Sequence, residues 1–594
     1  MDYQSVLEVL GNESFGVLAG ASTSEIVVYA RNFDTSIGDL FLIPSDRGGE
    51  RVYIFRMTQY ANVLRREDEM EPMAKNLIAM DDPFYADDFE RDKLLRLTGS
   101  LLGYSEFGGG KWAFRSPRKL PAHLSRVFKI GFGDEATVAS QERVLSDLLE
   151  VQLRGGVRIG ALLAGEQALQ NVQVGIPGEY FAHHIGIFGR TGTGKSNNMM
   201  VLIESIYENN RHLLNISQNQ WQRDDRIVSL FAIDPHDEFA RWKAGSTGGI
   251  TQIIAGVPDS DRSRLVGDFF YLSCRPQVAL DADQELGGKG RTCYLSRRDI
   301  TPSDLISIME FTDIMSASAE AIGDEHGENW ISAILNGQVE PDDRVIHKAS
   351  LAAINRRLSF LAGGRSVLVP NHRQYNSCLA DIIIALEQGR VLDVDTTLMT
   401  EAEQFLLTTV VARAVFALRK ALKSANCAED FFGNTNSPGE LDRHFPLQES
   451  LKANLRQCLA DVDSPYLDAG QLKKVADLPA VNIVIEEAPS ILNPARLRFG
   501  SVFRDISRQG RKFGLGLTVI SQQVTEIDNG ILSQLNTELN MAMGNEEERR
   551  AAVQTASNDI YPFKRELQVM SVGQAILSAS YKRVPLPIQI PEFI

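Results

Sequence analysis

Short runs of β-forming residues open the chain. Val17-Leu18, Ile26-Val27-Val28-Tyr29, Leu40-Phe41-Leu42-Ile43 and Val52-Tyr53-Ile54-Phe55 are separated by Gly, Asp, Ser and Pro, which predicts a small β-barrel or sandwich over residues 1–135. Leu97 to Leu102 and Trp112-Ala113-Phe114 add a further pair, and Gly108-Gly109-Gly110 before the second suits a tight hairpin. From about 155 apolar strands alternate with helical segments. His184 to Phe188, Ile227 to Ile233, Val391 to Asp395, Val481 to Ile485 and Gly516 to Ile520 are buried-strand candidates, and Phe405, Leu406, Val410, Val411, Val415 and Leu418 mark a strong helix over 401–422. The alternation predicts an α/β core with a mainly parallel sheet over 155–298 and 381–574. A helical insertion over 299–380 divides it, opening at the cap Thr301-Pro302-Ser303-Asp304. Residues 425–445 read as a long loop, and the proline-bearing tail 575–594 is expected to run over a surface.

Composition narrows this picture only a little. With 594 residues, 43% hydrophobic and 23% charged, the chain is long enough for several domains and ordinary for a globular protein. It has neither a run of about 18 apolar residues nor a secretory N-terminus, so a cytoplasmic protein without a membrane span is expected. Five cysteines, Cys274, Cys293, Cys378, Cys427 and Cys458, form no CxxC pair and read as scattered reduced thiols. The nine histidines contain no HExxH, so a metal site built from protein ligands alone is not expected. A net charge of −16 argues against a protein that coats nucleic acid over its whole surface, but leaves room for a local basic channel. Two acidic patches contribute, Glu67-Asp68-Glu69 with Glu71, and Asp81-Asp82 with Asp87, Asp88, Glu90 and Asp92; they read as a solvated loop or as a surface for a basic partner.

The chemistry begins at Gly189-Arg190-Thr191-Gly192-Thr193-Gly194-Lys195-Ser196, a GxxxxGK[ST] sequence between a strand and a helix candidate. Glycines there let backbone N–H groups converge on phosphate oxygens, and the helix N-terminus adds partial positive charge. Lys195 can neutralise β- and γ-phosphates, Ser196 can offer a hydroxyl to Mg²⁺, and the next residue, Asn197, completes the candidate ATP-binding set.

Hydrolysis also needs acids. Ile485-Glu486-Glu487-Ala488 ends an apolar run in two carboxylates whose side chains should diverge by strand alternation. Glu486 would face Mg²⁺ through water and Glu487 would polarise the attacking water; two acids capping a helix start is the alternative. Asp234, in Ile233-Asp234-Pro235-His236-Asp237, is either a metal-side acid or an N-cap. Gln522, beyond a strand, is either a γ-phosphate sensor or a buried hydrogen-bonding amide, and Arg508 and Arg511 are candidate fingers for a neighbouring subunit or a solvated face. Arg211, Arg223, Lys289 and Arg291 are candidates for contacts to DNA phosphates, with ordinary surface charge the leading alternative for each singly.

In order and spacing, Gly189 to Ser196, Asp234 to Phe239, Ile485 to Ala488, Arg508 to Gly514 and Gln522 resemble the HerA family of hexameric DNA-translocating ATPases, relatives of the FtsK pumps. Ser14 to Val17, Ser22 to Ser24 and Ile37-Gly38-Asp39 look like that family's small barrel, and Ile531 to Asn536 and Val572 to Ile576 are similar to segments near its C-terminus. The resemblance implies a RecA-like P-loop motor with a helical insertion, ATP and Mg²⁺ between subunits of a homo-hexamer, and double-stranded DNA in the pore. It implies Lys195 and Ser196 as the P-loop pair, Glu487 as catalytic acid, Gln522 as sensor, and Arg508 or Arg511 as finger. It further implies a separate effector on the barrel, a nuclease or a sirtuin-type NAD hydrolase, in DNA end processing or bacterial antiviral defence. Glu486 stands where Asp is commoner, Asp237 where Gly is frequent, and Val524 where Pro often follows. A nucleotide-gated ring that activates its effector with little translocation is the alternative, and a protein-remodelling ring a third.

Overall fold

A computed structural model describes residues 1–22, 25–30, 34–45, 49–63, 94–150, 156–240, 249–256, 268–285, 289–342, 344–361, 366–370, 376–434, 437–459, 465–468, 471–497 and 501–593. The acidic patches over 67–92 lie outside them.

The N-terminal strands Gly16–Ala21, Ile26–Ala30, Leu40–Ser45, Arg51–Val63, Leu94–Gly108, Lys111–Arg115 and Arg126–Lys129 form one antiparallel sheet, and pairing of Ile26–Ala30 with Leu94–Gly108 closes it into a barrel. Closure leaves Lys111–Arg115 as an edge strand beside Leu94–Gly108 and encloses a side-chain core of Leu18, Val28, Phe41, Phe55, Leu97 and Val127. At the hairpin, Gly109 and Gly110 adopt φ of +62° and +79°, the left-handed pair that a two-residue turn demands.

The motor is built on a sheet of twelve strands. Its order is Gly290–Thr292, Phe269–Ser273, Val391–Asp395, Val228–Asp234, Ala480–Ile485, Leu515–Ser521, His184–Phe188, Leu535–Asn540, Gln574–Ala579, Leu586–Gln589, Val157–Ala164 and Gln167–Ile176. The first eight are parallel and the last four antiparallel. Helix Lys195–Asn215 lies on one face, its Met199, Leu202, Ile203 and Ile206 sharing a core with Ile185 and Ile187. On the other face, helix Glu401–Ser424 and the inserted helices Pro302–Ile308, Asp313–His326, Trp330–Leu335, Lys348–Leu358 and Leu379–Glu387 share one continuous core with the sheet. The insertion is thus part of the motor's packing rather than an appended module.

Three expectations are corrected. Residues 425–445 contain two short helices, Ala428–Phe432 and Glu440–His444, pinned by buried Phe431, Leu441 and Phe445. The tail from 575 enters the sheet instead of crossing a surface. Its Pro587 pairs with Ile576 on one side, while pairing to the other neighbour begins only at Ile588, so no ladder bond is lost to the missing N–H. Finally, three of the five cysteines converge: Cys293 lies between Cys274 and Cys378 in the core, where thiol hydrogen bonding and burial raise its pKa well above the ordinary value.

Barrel and motor meet through Arg56, which donates to both carboxylate oxygens of Glu566 at 2.8 and 2.5 Å and lies over the Phe563 ring. Among the described residues no helix is long and apolar enough to cross a membrane.

Candidate nucleotide site

The phosphate loop leaves strand His184–Phe188 at its carboxyl end and turns into helix Lys195–Asn215. Gly192 and Gly194 have φ of +77° and +99°, conformations that L side chains resist and that fold the loop back over the helix N-terminus. Arg190, Thr191 and Ser196 are exposed, whereas Thr193 is buried and its hydroxyl donates to Arg190 O. Lys195 Nζ donates to Gly189 O and Arg190 O. Burial lowers its pKa, against the attraction of Glu487 and Glu486.

Strand order explains which residues meet the loop. Leu515–Ser521 lies between the phosphate-loop strand and the acid strand Ala480–Ile485, so Gln522 at its tip stands between them. Thr191 Oγ1 donates to Gln522 Oε1 at 2.6 Å, and Gln522 Nε2 reaches Glu487 Oε1 at 3.4 Å. Glu486 and Glu487 diverge. Glu487 is exposed, with φ of +47°, a strained conformation for a residue bearing a side chain. Glu486 turns towards Asp234, and its carboxyl is pushed up to about 8 by desolvation and then by Asp234, Glu238 and Glu487.

A row of acids extends sideways from Glu486. Asp234 is buried, accepts from the backbone of Phe239 and His236, and is pushed up to about 6, chiefly by burial. It therefore caps its turn and also stands beside Glu486. Asp395 pairs in register with Asp234 on the next strand, where Arg275 holds it and Asp237 in ion pairs. Asp237 has φ of +54°, a conformation that favours glycine; the aspartate accepts from Arg275 and from the Tyr271 hydroxyl. Fully buried Asp393 has both carboxylate oxygens without a hydrogen-bond partner, and burial raises its pKa well above the ordinary value. These neighbours were hidden in the sequence because Asp393 and Asp395 read there only as part of a strand. Among the described residues these carboxyls form no cluster that could hold a metal ion by itself, and Ser196 is exposed at the start of the loop's helix.

Other candidates lie elsewhere. Asn197 does not face the loop: its side chain donates to Pro591 O and accepts from Phe593 N, clipping the C-terminal segment to the helix. Arg508 and Arg511 are exposed at the opposite, amino end of the parallel strands. There Arg511 joins Lys423, Lys473, Lys474 and Lys512 around a cleft of about 520 Å³. Arg291 is paired with Asp283, and Arg211 lines a polar groove with Glu208 and Asp225.

The family model of the HerA helicase central domain matches residues 157–409. The DNA double-strand break repair helicase HerA of Saccharolobus solfataricus is 29% identical over 441 residues, covering 74% of this chain and 69% of that protein. Its namesake from Pyrococcus furiosus is 21% identical over 459 residues, covering 75% and 72%. The solved structure of VirB4 from Thermoanaerobacter pseudethanolicus aligns at a TM-score of 0.40 and 13% identity, covering 74% of this chain and 97% of that one. The phosphate loop, the central-domain match and these relatives give the chain a HerA-like P-loop ATPase core, similar over 157–409 to the central domain of the HerA helicases.

Proposed function

We propose that the chain forms a homo-hexameric ring that hydrolyses ATP to move double-stranded DNA through its pore. The observation that carries the reading is the Thr191–Gln522–Glu487 bridge across the phosphate-loop strand, its neighbour and the acid strand, with Lys195 drawn to both glutamates. In this reading Gly189 to Ser196 hold the phosphates and Lys195 balances their charge. Glu487 takes the proton of the attacking water, Glu486 faces Mg²⁺ with Asp234 behind it, and Gln522 senses the γ-phosphate. Arg508 or Arg511 completes the neighbouring subunit's site. Steady-state ATPase measurements test this: double-stranded DNA is expected to raise turnover in the wild type and not in Lys195→Ala. Turnover that ignores DNA contradicts translocation.

The motor's effector, by this reading a nuclease or a sirtuin-type NAD hydrolase, docks on the barrel, and the pathway is DNA end processing or antiviral defence. The relatives' role in double-strand break repair supports the former. One feature favours the gated-scaffold reading: Arg56 of the barrel grips Glu566, in a segment that continues to the phosphate loop. Its signature is effector activity that requires ATP but not DNA.

A further inference from the structure

The segment following Glu566 ends on the phosphate loop. Gly573 N donates to Thr193 O at 3.0 Å, and Gly573 O accepts from Ile590 N. Gly573 has φ of +77°, and a Cβ there would meet Gln589 Nε2 at 2.8 Å, so the chain turns there on a glycine. This turn sets Val572 against Gly194: a Cβ built on Gly194 would lie 3.6 Å from Val572 Cγ1. Yet Val572 is 69% exposed, and Val569, at the end of the short helix Glu566–Val569, is 77% exposed. The segment clipped by Asn197 carries half-buried Phe593 on the same side of the helix N-terminus.

The two sides of that N-terminus differ. Glu487 and Gln522 approach at Thr191, which fixes the γ-phosphate end. The sugar and base must then leave past Gly194 and Asn197, where apolar side chains stand exposed beside a polar loop. We propose that Val572, with Val569 behind it, is the shelf that receives the purine base of the bound nucleotide, and that Asn197 is a positioning residue that holds the 591–593 segment alongside. The proposal rests on the phosphate-site reading above. An apolar wall contacts the flat face of the base, and its contribution comes from area removed from water.

The test compares ATP with inorganic tripolyphosphate, which lacks a base, by calorimetric titration of the full chain. Val572→Asn is expected to weaken ATP about tenfold while tripolyphosphate stays within about twofold, and Val572→Leu is expected to keep the wild-type ATP affinity. Unchanged ATP affinity in Val572→Asn overturns the shelf, as does an equal loss for both ligands, which would mean a damaged loop. Tripolyphosphate binding that is absent from the wild type, or indifferent to Lys195→Ala, overturns the phosphate-site reading instead.

Discussion

At the carboxyl ends of the parallel strands, Glu486, Asp234 and Asp395 stand in one lateral row beside Lys195, with Asp393 buried and unpartnered behind them. At the amino ends of the same strands, Arg508, Arg511 and Lys512 are exposed beside Lys423 and Lys474. One end is a nucleotide site crowded with carboxylates, and the other offers cations. Surfaces so unlike each other suit a head-to-tail contact, in which each copy presents its basic end to the next copy's nucleotide, and a head-to-tail contact that closes makes a ring. The contrast also bears on the net charge of −16: a ring contact needs only a few local cations such as those around this cleft.

Ways to break this contrast begin at the carboxyl end. Lys195→Ala is expected to bring ATP hydrolysis to background, a loss of about a thousandfold or more, and to weaken ATP binding in titration. At the amino end, the double variant Arg508→Ala/Arg511→Ala is expected to lower kcat by about a hundredfold or more with ATP affinity within about twofold, and the single variants assign the finger. An equal loss of affinity in the double variant would mean a structural role.

Not every cation at the amino end is available to a neighbour. Arg419 is fully buried, ion-paired to Glu387 at 2.6 Å and hydrogen-bonded to Pro479 O. Glu387→Ala strands that guanidinium and is expected to cost about 3–5 kcal/mol of unfolding free energy in denaturant titration. Exposed Arg511→Ala is expected to change stability by less than about 0.5 kcal/mol.

A further effect concerns pH. His184 opens the phosphate-loop strand, accepts from Leu517 N at Nδ1 and contacts Ser507 O at Nε2, so it ties down the helix that carries Arg508. Burial lowers its pKa to about 4, and burial with Arg511 and Arg226 lowers that of His183 to about 4. Both stay neutral in the folded protein while the unfolded chain takes up protons near 6.5, so their contribution is complete above that pH and lost as pH falls towards 4. His184→Asn is expected to flatten the decline of stability between pH 6.5 and 4 by about 1–3 kcal/mol, read from denaturation midpoints.

Much of this contrast was legible in the sequence. The phosphate-loop strand, the acid strand and the Gln522 strand announce themselves as apolar runs ending in chemistry, because parallel strands buried on both faces have no polar alternation. What stayed hidden depends on lateral register. Nothing in the spacing reveals that Asp395 lies level with Asp234, or that Arg275 reaches across to hold it. The side-chain partner of Asn197 is hidden for a similar reason: adjacency to the motif points to the nucleotide, and nothing local reveals that the returning C-terminal segment takes its amide. The tail itself was misread because prolines predict a surface course, and only the partner strand's starting position makes Pro587 compatible with a sheet. The central insertion separates Lys195 from Glu487 by about 290 residues, so no local window contains the site.

The claim that each site is completed by the next copy is tested most directly by mixing two inactive proteins. Lys195→Ala subunits lack a working phosphate loop but keep their arginines; Arg508→Ala/Arg511→Ala subunits keep the loop. Mixed in equal amounts and allowed to exchange, they are expected to recover ATPase activity approaching about a quarter of wild type, the fraction of neighbouring pairs that joins an intact loop to an intact arginine. A mixture that stays as inactive as its two components, with exchange verified by co-purification of differently tagged subunits, would contradict a site built across two copies.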